Sequence, residues 1–166
     1  MSIADFFTFS RILVTPFVIY FIFVHNFFIA SILFIYCSIS DLLDGYLARK
    51  YDLVNERGSF LDPLADKILM IGVLTVLLYH GLIALWAYTI IIGRDILITF
   101  YRQYLRNKNQ PLVTSRYGKW KTVFQHLAVI FILVADPTKE SIDLVMGLNA
   151  IYAGATGIHY MVKNGF

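Results

Sequence analysis

The sequence predicts an all-α membrane protein with six transmembrane helices in one bundle. Of its 166 residues, 58% are hydrophobic and only 15% are charged, and the mean hydropathy is +0.68. Soluble domains carry about 25% charged residues, so a water-soluble globule is excluded, and the high hydrophobicity also excludes a disordered chain. At about 20 residues per span the chain has room for about six spans, so residues 1–166 are predicted to form a single membrane domain.

Six apolar segments, separated by turn-forming or charged residues, mark the predicted spans. They cover residues 12–24, 27–40, 60–79, 82–101, 122–135 and 142–162. Tight hairpins are predicted after the first, third and fifth segments, at His25-Asn26, Tyr79-His80-Gly81 and Asp136-Pro137-Thr138. The first segment is similar to a signal peptide, but Met1 to Ser10 contain no lysine or arginine and no cleavage site follows. We therefore expect this segment to be kept in the mature protein.

The basic residues predict the orientation of the bundle. With six spans, both termini and the connections after spans two and four lie on one side. That side holds all but two of the 14 lysines and arginines, the exceptions being Lys139 in an opposite loop and Arg94 within span four. Because positive charge concentrates on the cytoplasmic side, both termini are predicted to be cytoplasmic. The same charge would also attract anionic membrane lipid and substrate. Nucleic-acid binding is not expected, since basic residues beside spans report orientation.

Acidic residues concentrate around the connection between spans two and three. Asp41 and Asp44 are three residues apart, and Asp62 and Asp66 are four apart, so each pair shares one helix face. The hairpin between the spans would bring the two faces together. Carboxylates this close in a medium of low dielectric constant take up protons or bind cations. Ligation by oxygen alone suits magnesium or manganese and does not suit zinc.

A structural interpretation of the same region stays open. The aspartates could cap helices and pair with Arg49, Arg57 and Lys67, although four of them at paired helical spacings favour a metal site. Gly45 and Ala48 leave a strip of the second helix almost without side-chain bulk, which a phosphorylated ligand could approach. Close helix packing explains these small residues equally well. Arg49 offers a planar fork for a phosphate, and it is also an ordinary interfacial anchor.

These residues together resemble the signature of the CDP-alcohol phosphatidyltransferase family. The sequence reads Asp41-Leu42-Leu43-Asp44-Gly45-Tyr46-Leu47-Ala48-Arg49, followed by Gly58, Asp62 and Asp66 at the family's spacing. The resemblance covers nearly the whole chain and is strongest to the bacterial members that form phosphatidylglycerophosphate. It is supported by Thr8-Phe9-Ser10-Arg11, by Arg94-Asp95-Ile96, and by Gly118-Lys119-Trp120-Lys121-Thr122 with Gln125. Two departures are Ser2-Ile3-Ala4-Asp5 in place of Asn-x-Pro-Asn, and Asp95 in place of glutamate.

The resemblance implies a membrane enzyme, usually a homodimer, that transfers the phosphatidyl group of CDP-diacylglycerol to an alcohol and releases CMP. It implies that two divalent cations, Mg²⁺ or Mn²⁺, are held by Asp41, Asp44, Asp62 and Asp66, with Asp66 also the catalytic base. The residues implied to contact the CDP group are Thr8, Gly45, Ala48, Arg49 and Gly58. The expected location is the bacterial cytoplasmic membrane, with the active site facing the cytoplasm.

The acceptor is predicted from the basic residues of helices four and five. Glycerol 3-phosphate needs a cationic pocket for its phosphate, and the available cations are Arg94, Arg102, Arg116, Lys119 and Lys121. Orientation by positive charge explains the same residues. Alternative acceptors are phosphatidylglycerol, which gives cardiolipin, and serine or inositol phosphate. Outside the enzyme class, a divalent-cation transporter is the alternative, but spans three, five and six carry almost no acidic residues beyond their ends.

Overall fold

The computed structural model describes residues 3–50, 56–108 and 116–163, which form six α-helices and no strand. The helices are α1 (Ile3–Phe23), α2 (Phe27–Lys50), α3 (Glu56–Tyr79), α4 (Leu85–Asn107), α5 (Arg116–Ala135) and α6 (Lys139–Lys163). The prediction of an all-helical chain with six helices is confirmed. Several helices run past the apolar segments, since α1 begins at residue 3 rather than 12 and α2 ends at residue 50 rather than 40.

Among the described residues, α6 is the one helix that is long and apolar enough to cross a membrane by length and composition. Shorter apolar helical stretches occupy Phe9–Phe23, Phe27–Asp41 and Trp120–Ala135. Charged residues within the predicted spans or at their ends, such as Arg94 and Asp95 in α4, interrupt the other apolar runs. The prediction of six full membrane spans therefore stays a prediction.

The turn between α1 and α2 is closed by hydrogen bonds at the helix ends. His25 has a left-handed backbone with φ of 59°. Its N–H donates to the Ile22 carbonyl at 3.0 Å, and the Asn26 N–H donates to the Phe21 carbonyl at 2.9 Å, as in a Schellman motif. The Asn26 side-chain oxygen then caps α2 by accepting the Ile29 N–H at 3.2 Å. The predicted hairpin is confirmed.

The turns after α3 and α5 end their helices in a related way. Gly81 has φ of 69° and Asp136 has φ of 43°, which are left-handed conformations that stop a helix. Thr138 caps α6, because its hydroxyl accepts the Ser141 N–H at 3.4 Å. The positions predicted for these two turns are confirmed.

Contacts divide the chain into two compact units. Unit 1 comprises Met1–His80 and Leu133–Ala135, and unit 2 comprises Gly81–Ile132 and Asp136–Phe166. Within unit 1, α1 packs against both α2 and α3, and within unit 2, α4 packs against α6. The prediction of a single domain over residues 1–166 stays a prediction.

Unit 1 has its turns at one end and its acidic residues at the other. The rings of His25 and His80 lie 4.1 Å apart between centroids, so the end of α3 lies beside the α1–α2 turn. The core of unit 1 is formed by apolar side chains that are fully buried, including Val18, Ile22, Phe34, Leu69, Val73 and Leu77. Since α2 leads away from this turn and α3 returns to it, the last turns of α2 and the first turns of α3 share the opposite end.

Candidate active site

A buried ion pair joins α1 to the acidic end of α2. The guanidinium of Arg11 is fully buried, and its Nη1 donates to Asp41 Oδ1 at 2.8 Å. A buried guanidinium cannot lose its proton, so it needs a carboxylate partner. Asp41 retains 35% exposure, which leaves its carboxylate accessible to a ligand as well as to Arg11. The sequence prediction placed Arg11 among the orientation charges and missed this pair, although an arginine inside an apolar helix signals a buried partner.

Asp41 and Asp66 are the two predicted metal ligands whose side chains the structure describes. Both carboxylates are half-buried, Asp41 in the second half of α2 and Asp66 in the first half of α3. Half-buried carboxylates fit hard divalent cations, which prefer oxygen ligands. Within the residues whose side chains are described, no three histidine, cysteine or acidic side chains form a group that could hold a metal ion. Asp44 and Asp62 lie outside that set, so the four-carboxylate site stays a prediction.

Several other predicted site residues are placed only by their backbones. All of them lie in helices, and their side chains fall outside what the structure describes. They are Thr8 in α1, Asp44, Gly45, Ala48 and Arg49 in α2, Gly58 and Asp62 in α3, and Arg116 and Lys119 in α5. The predicted contacts of these residues with CDP, metal or acceptor therefore stay predictions.

In unit 2, helices α4 and α5 bring two of the predicted acceptor-binding cations to one carboxylate. Asp95 Oδ1 accepts from Arg94 Nη1 at 3.0 Å, and Asp95 Oδ2 accepts from Lys121 Nζ at 2.5 Å. Lys121 also donates to the side-chain oxygen of Gln125. Arg94 Nη2 reaches α6, where it donates to Thr156 Oγ1 at 3.4 Å. We call these five residues the α4–α5–α6 cluster.

The α4–α5–α6 cluster is buried and contains two cations. Lys121 has only 4% of its side chain exposed, and Arg94 and Asp95 are also largely covered. Arg94 and Lys121 both pair with the carboxylate of Asp95, which holds the two cations in one group. Buried cations form strong charge-assisted hydrogen bonds with phosphate oxygens. The cluster therefore has side chains that suit an anionic ligand.

The remaining predicted acceptor residue with a described side chain lies elsewhere in unit 2. Arg102 is exposed and lies over the ring of Tyr160, 5.1 Å from its centroid. The structure thus brings together Arg94 and Lys121 and gives Arg102 an aromatic partner. Asp95 and Gln125 were missed as site residues. Two sequence patterns could have indicated them. Asp95 is a carboxylate beside an arginine in an apolar helix, and Gln125 follows a lysine by four residues, which is one helical turn.

The fold and the site together are those of a helical protein with charged groups buried inside apolar helices, Arg11 in α1 and Arg94 and Asp95 in α4. The chain belongs to the CDP-alcohol phosphatidyltransferase family, which residues 1–158 match. The resemblance seen in the sequence is confirmed.

Two relatives are each named CDP-diacylglycerol–glycerol-3-phosphate 3-phosphatidyltransferase. The one from Bacillus subtilis is 35% identical, over 81% of this chain and 72% of the relative. The one from Mycoplasma pneumoniae is 40% identical, over 62% of this chain and 45% of the relative. A third relative is a Schizosaccharomyces pombe fusion protein of cardiolipin synthase (CMP-forming) and a mitochondrial hydrolase, 33% identical over 90% of this chain. This chain spans only 29% of the fusion protein and 45% of the Mycoplasma relative.

Proposed function

We propose that this protein transfers the phosphatidyl group of CDP-diacylglycerol to sn-glycerol 3-phosphate, forming phosphatidylglycerophosphate and CMP. The observation that carries the proposal is the family match over residues 1–158. The names of the Bacillus and Mycoplasma relatives support this acceptor. The family match also favours a transferase over the divalent-cation transporter considered from the sequence.

Phosphatidylglycerol is the second candidate acceptor, because the fusion relative is named as a cardiolipin synthase. The charge of the α4–α5–α6 cluster favours glycerol 3-phosphate over this lipid. A phosphomonoester carries a charge of about −1.5 to −2 near pH 7, whereas the phosphodiester of phosphatidylglycerol carries a single charge. Charge-assisted hydrogen bonds from the two cations of the cluster, Arg94 and Lys121, are stronger to the phosphomonoester.

The proposed reaction assigns distinct tasks to the residues of unit 1. The acceptor hydroxyl oxygen attacks the lipid-side phosphorus, the bond from that phosphorus to CMP breaks, and the hydroxyl proton passes to the carboxylate of Asp66. Divalent cations bound by Asp41, Asp44, Asp62 and Asp66 would stabilise the charge on the bridging oxygen. Arg11 keeps the Asp41 carboxylate in place through their ion pair.

The protein is proposed to lie in a bacterial cytoplasmic membrane. Large apolar side chains are exposed on every helix, including Leu13, Phe28, Ile68, Phe100, Leu127 and Ile151. An apolar groove of about 630 Å³ also runs between α5 and α6, with Phe124, Leu148 and Tyr152 in its lining. Soluble proteins rarely expose so many large apolar side chains, whereas lipid would cover them. The diacyl tails of the substrate could then stay in lipid while the charged groups react at the helix ends.

The proposed orientation predicts which connections are accessible from outside. In a variant whose buried native cysteine is replaced, Cys37→Ala, single cysteines at Asn26 and Thr138 should react with an impermeant thiol reagent added to intact cells. Cysteines at positions 55 and 109 should react only after the membrane is opened, because the positive residues beside them face the cytoplasm. Labelling of the cysteine at position 55 in intact cells would contradict the proposed orientation and indicate the opposite one.

The choice of acceptor is tested by supplying purified protein with CDP-diacylglycerol and one acceptor at a time. Glycerol 3-phosphate should give the highest kcat/KM, and phosphatidylglycerol, serine, inositol phosphate and free glycerol should be much poorer. The reason is that a charge-assisted contact to phosphate contributes about 1.5–3 kcal/mol, or roughly ten- to hundredfold in affinity. Equal use of free glycerol would contradict a phosphate-binding acceptor site, and preference for phosphatidylglycerol would favour the second candidate.

A further inference from the structure

The α4–α5–α6 cluster contains two buried N–H donors that no acceptor satisfies within the described part of the chain. They are Arg94 Nε and Gln125 Nε2. Gln125 has only 2% of its surface exposed. Its side-chain oxygen accepts a hydrogen bond from Lys121, so its amide nitrogen is the group that remains to donate to a ligand. A buried donor without an acceptor costs about 1–3 kcal/mol. A ligand rich in oxygen atoms would recover this cost.

The path of the Arg94 side chain depends on the absence of a side chain at Gly157. A Cβ atom added to Gly157 of α6 would lie 3.0 Å from Arg94 Cγ, closer than two carbon atoms pack without strain. Three residues earlier on α6, a Cβ atom added to Gly154 would lie 3.9 Å from Ile90 Cγ2, which is an ordinary contact. Gly157 thus leaves room for Arg94 to reach Asp95 and Thr156, whereas Gly154 makes no comparable demand.

The donors already used by the cluster show which ones remain for a ligand. Arg94 Nη1 donates to Asp95 and Nη2 donates to Thr156. The Nε–H of Arg94 therefore remains available to a ligand. Asp95 also binds Lys121 and thereby holds the two cations in one group. A phosphomonoester offers three acceptor oxygens and a charge of about −2, which matches unsatisfied N–H donors on a guanidinium and on the amide beside it in this cluster.

We propose that Gln125 binds the phosphate of the acceptor through Nε2, together with Arg94 Nε, and that Gly157 is a positioning residue for Arg94. The inference rests on the proposed function, because it assigns the ligand of the cluster as the acceptor substrate. It adds a neutral amide donor to the acceptor site and explains the small residue on α6.

The first test is the substitution Gln125→Glu. The variant keeps an oxygen for Lys121 and replaces the amide donor by a negative oxygen that repels phosphate. The KM for glycerol 3-phosphate should rise roughly ten- to hundredfold, while the KM for CDP-diacylglycerol changes little. Gln103→Glu is the matched control, because it makes the same charge change at an exposed position of α4 and should leave both KM values unchanged.

The second test compares Gly157→Ala with Gly154→Ala. Both add one methyl group to α6, so a general effect on the helix would appear in both. Gly157→Ala should raise the KM for glycerol 3-phosphate, by up to about tenfold, because the added methyl group displaces the Arg94 side chain and small displacements of binding groups are costly. Gly154→Ala should behave like the unmodified protein. This comparison also keeps the proposal testable if Gln125→Glu fails to fold.

Direct binding separates the inference from the proposed function. Calorimetry with glycerol 3-phosphate and no CDP-diacylglycerol should show weaker binding to Gln125→Glu and Gly157→Ala than to their controls. If the unmodified protein turns over glycerol 3-phosphate but each variant matches its control, the inference is overturned and the function stands. If the unmodified protein neither binds nor uses glycerol 3-phosphate, both are overturned.

Discussion

The variant Asp66→Asn is expected to lose transfer activity by at least about a hundredfold while remaining folded. The amide cannot accept the acceptor's proton as the carboxylate does, and it is a poorer ligand for a hard cation. Losing one group that stabilises the transition state typically costs about 10²–10³-fold in rate. Initial rates of CMP release from CDP-diacylglycerol, measured beside thermal unfolding of the same preparation, check this. Asp62→Asn should behave in the same way.

The matched control for these variants is Asp143→Asn on α6. Asp143 forms an ion pair with Lys139 at 3.2 Å, and both side chains are well exposed. Since exposed pairs contribute little, this variant should keep near-normal activity and stability.

EDTA should remove the activity of the unmodified protein, and magnesium or manganese should restore it. Near-normal activity of both Asp62→Asn and Asp66→Asn, or restoration by zinc alone, would contradict the carboxylate metal site.

The variant Asp41→Ala is expected to lose stability as well as activity. It removes the carboxylate that pairs with the fully buried guanidinium of Arg11. Breaking a buried ion pair by removing one partner costs about 3–5 kcal/mol, and the partial exposure of Asp41 favours the lower end. A clear fall in the Tm of the purified protein should follow even in EDTA, where no metal contributes. Asp66→Asn should not show a comparable fall.

A double variant separates the two roles of Asp41. Replacing both partners by apolar residues, Arg11→Met with Asp41→Leu, removes the buried charge together with its partner and is often neutral for stability. The double variant should regain most of the Tm lost in Asp41→Ala and should stay inactive, because a metal ligand is missing. If Asp41→Ala unfolds at the same temperature as the unmodified protein, the ion pair is not a stabilising element.

The number and order of the helices could be predicted from the sequence, but several helix ends could not. Apolar segments reveal where side chains face lipid or a packed neighbour. Backbone hydrogen bonding continues regardless of polarity, so α2 extends to Lys50 through its charged last turns. The turns between helices were predictable because residues such as Gly81 and Asn26 have conformational or capping preferences that act locally.

Contacts between helices explain why part of the site could not be predicted. Spacings of three and four residues place Asp41 with Asp44 on one helix face. The ion pair of Asp41 with Arg11 instead joins residues 30 apart and depends on how α1 packs against α2. The contact between Asp95 and Lys121 likewise spans 26 residues. A list of basic residues contains both cations, but it does not show which carboxylate each one meets.

The most direct test of the proposed function is the release of CMP by purified protein in lipid or detergent. With CDP-diacylglycerol and magnesium present, CMP should appear only after glycerol 3-phosphate is added, in amounts equal to the phosphatidylglycerophosphate formed. The proposed function would be contradicted if CMP were released equally with and without glycerol 3-phosphate. It would also be contradicted if no CMP were released with any of the acceptors.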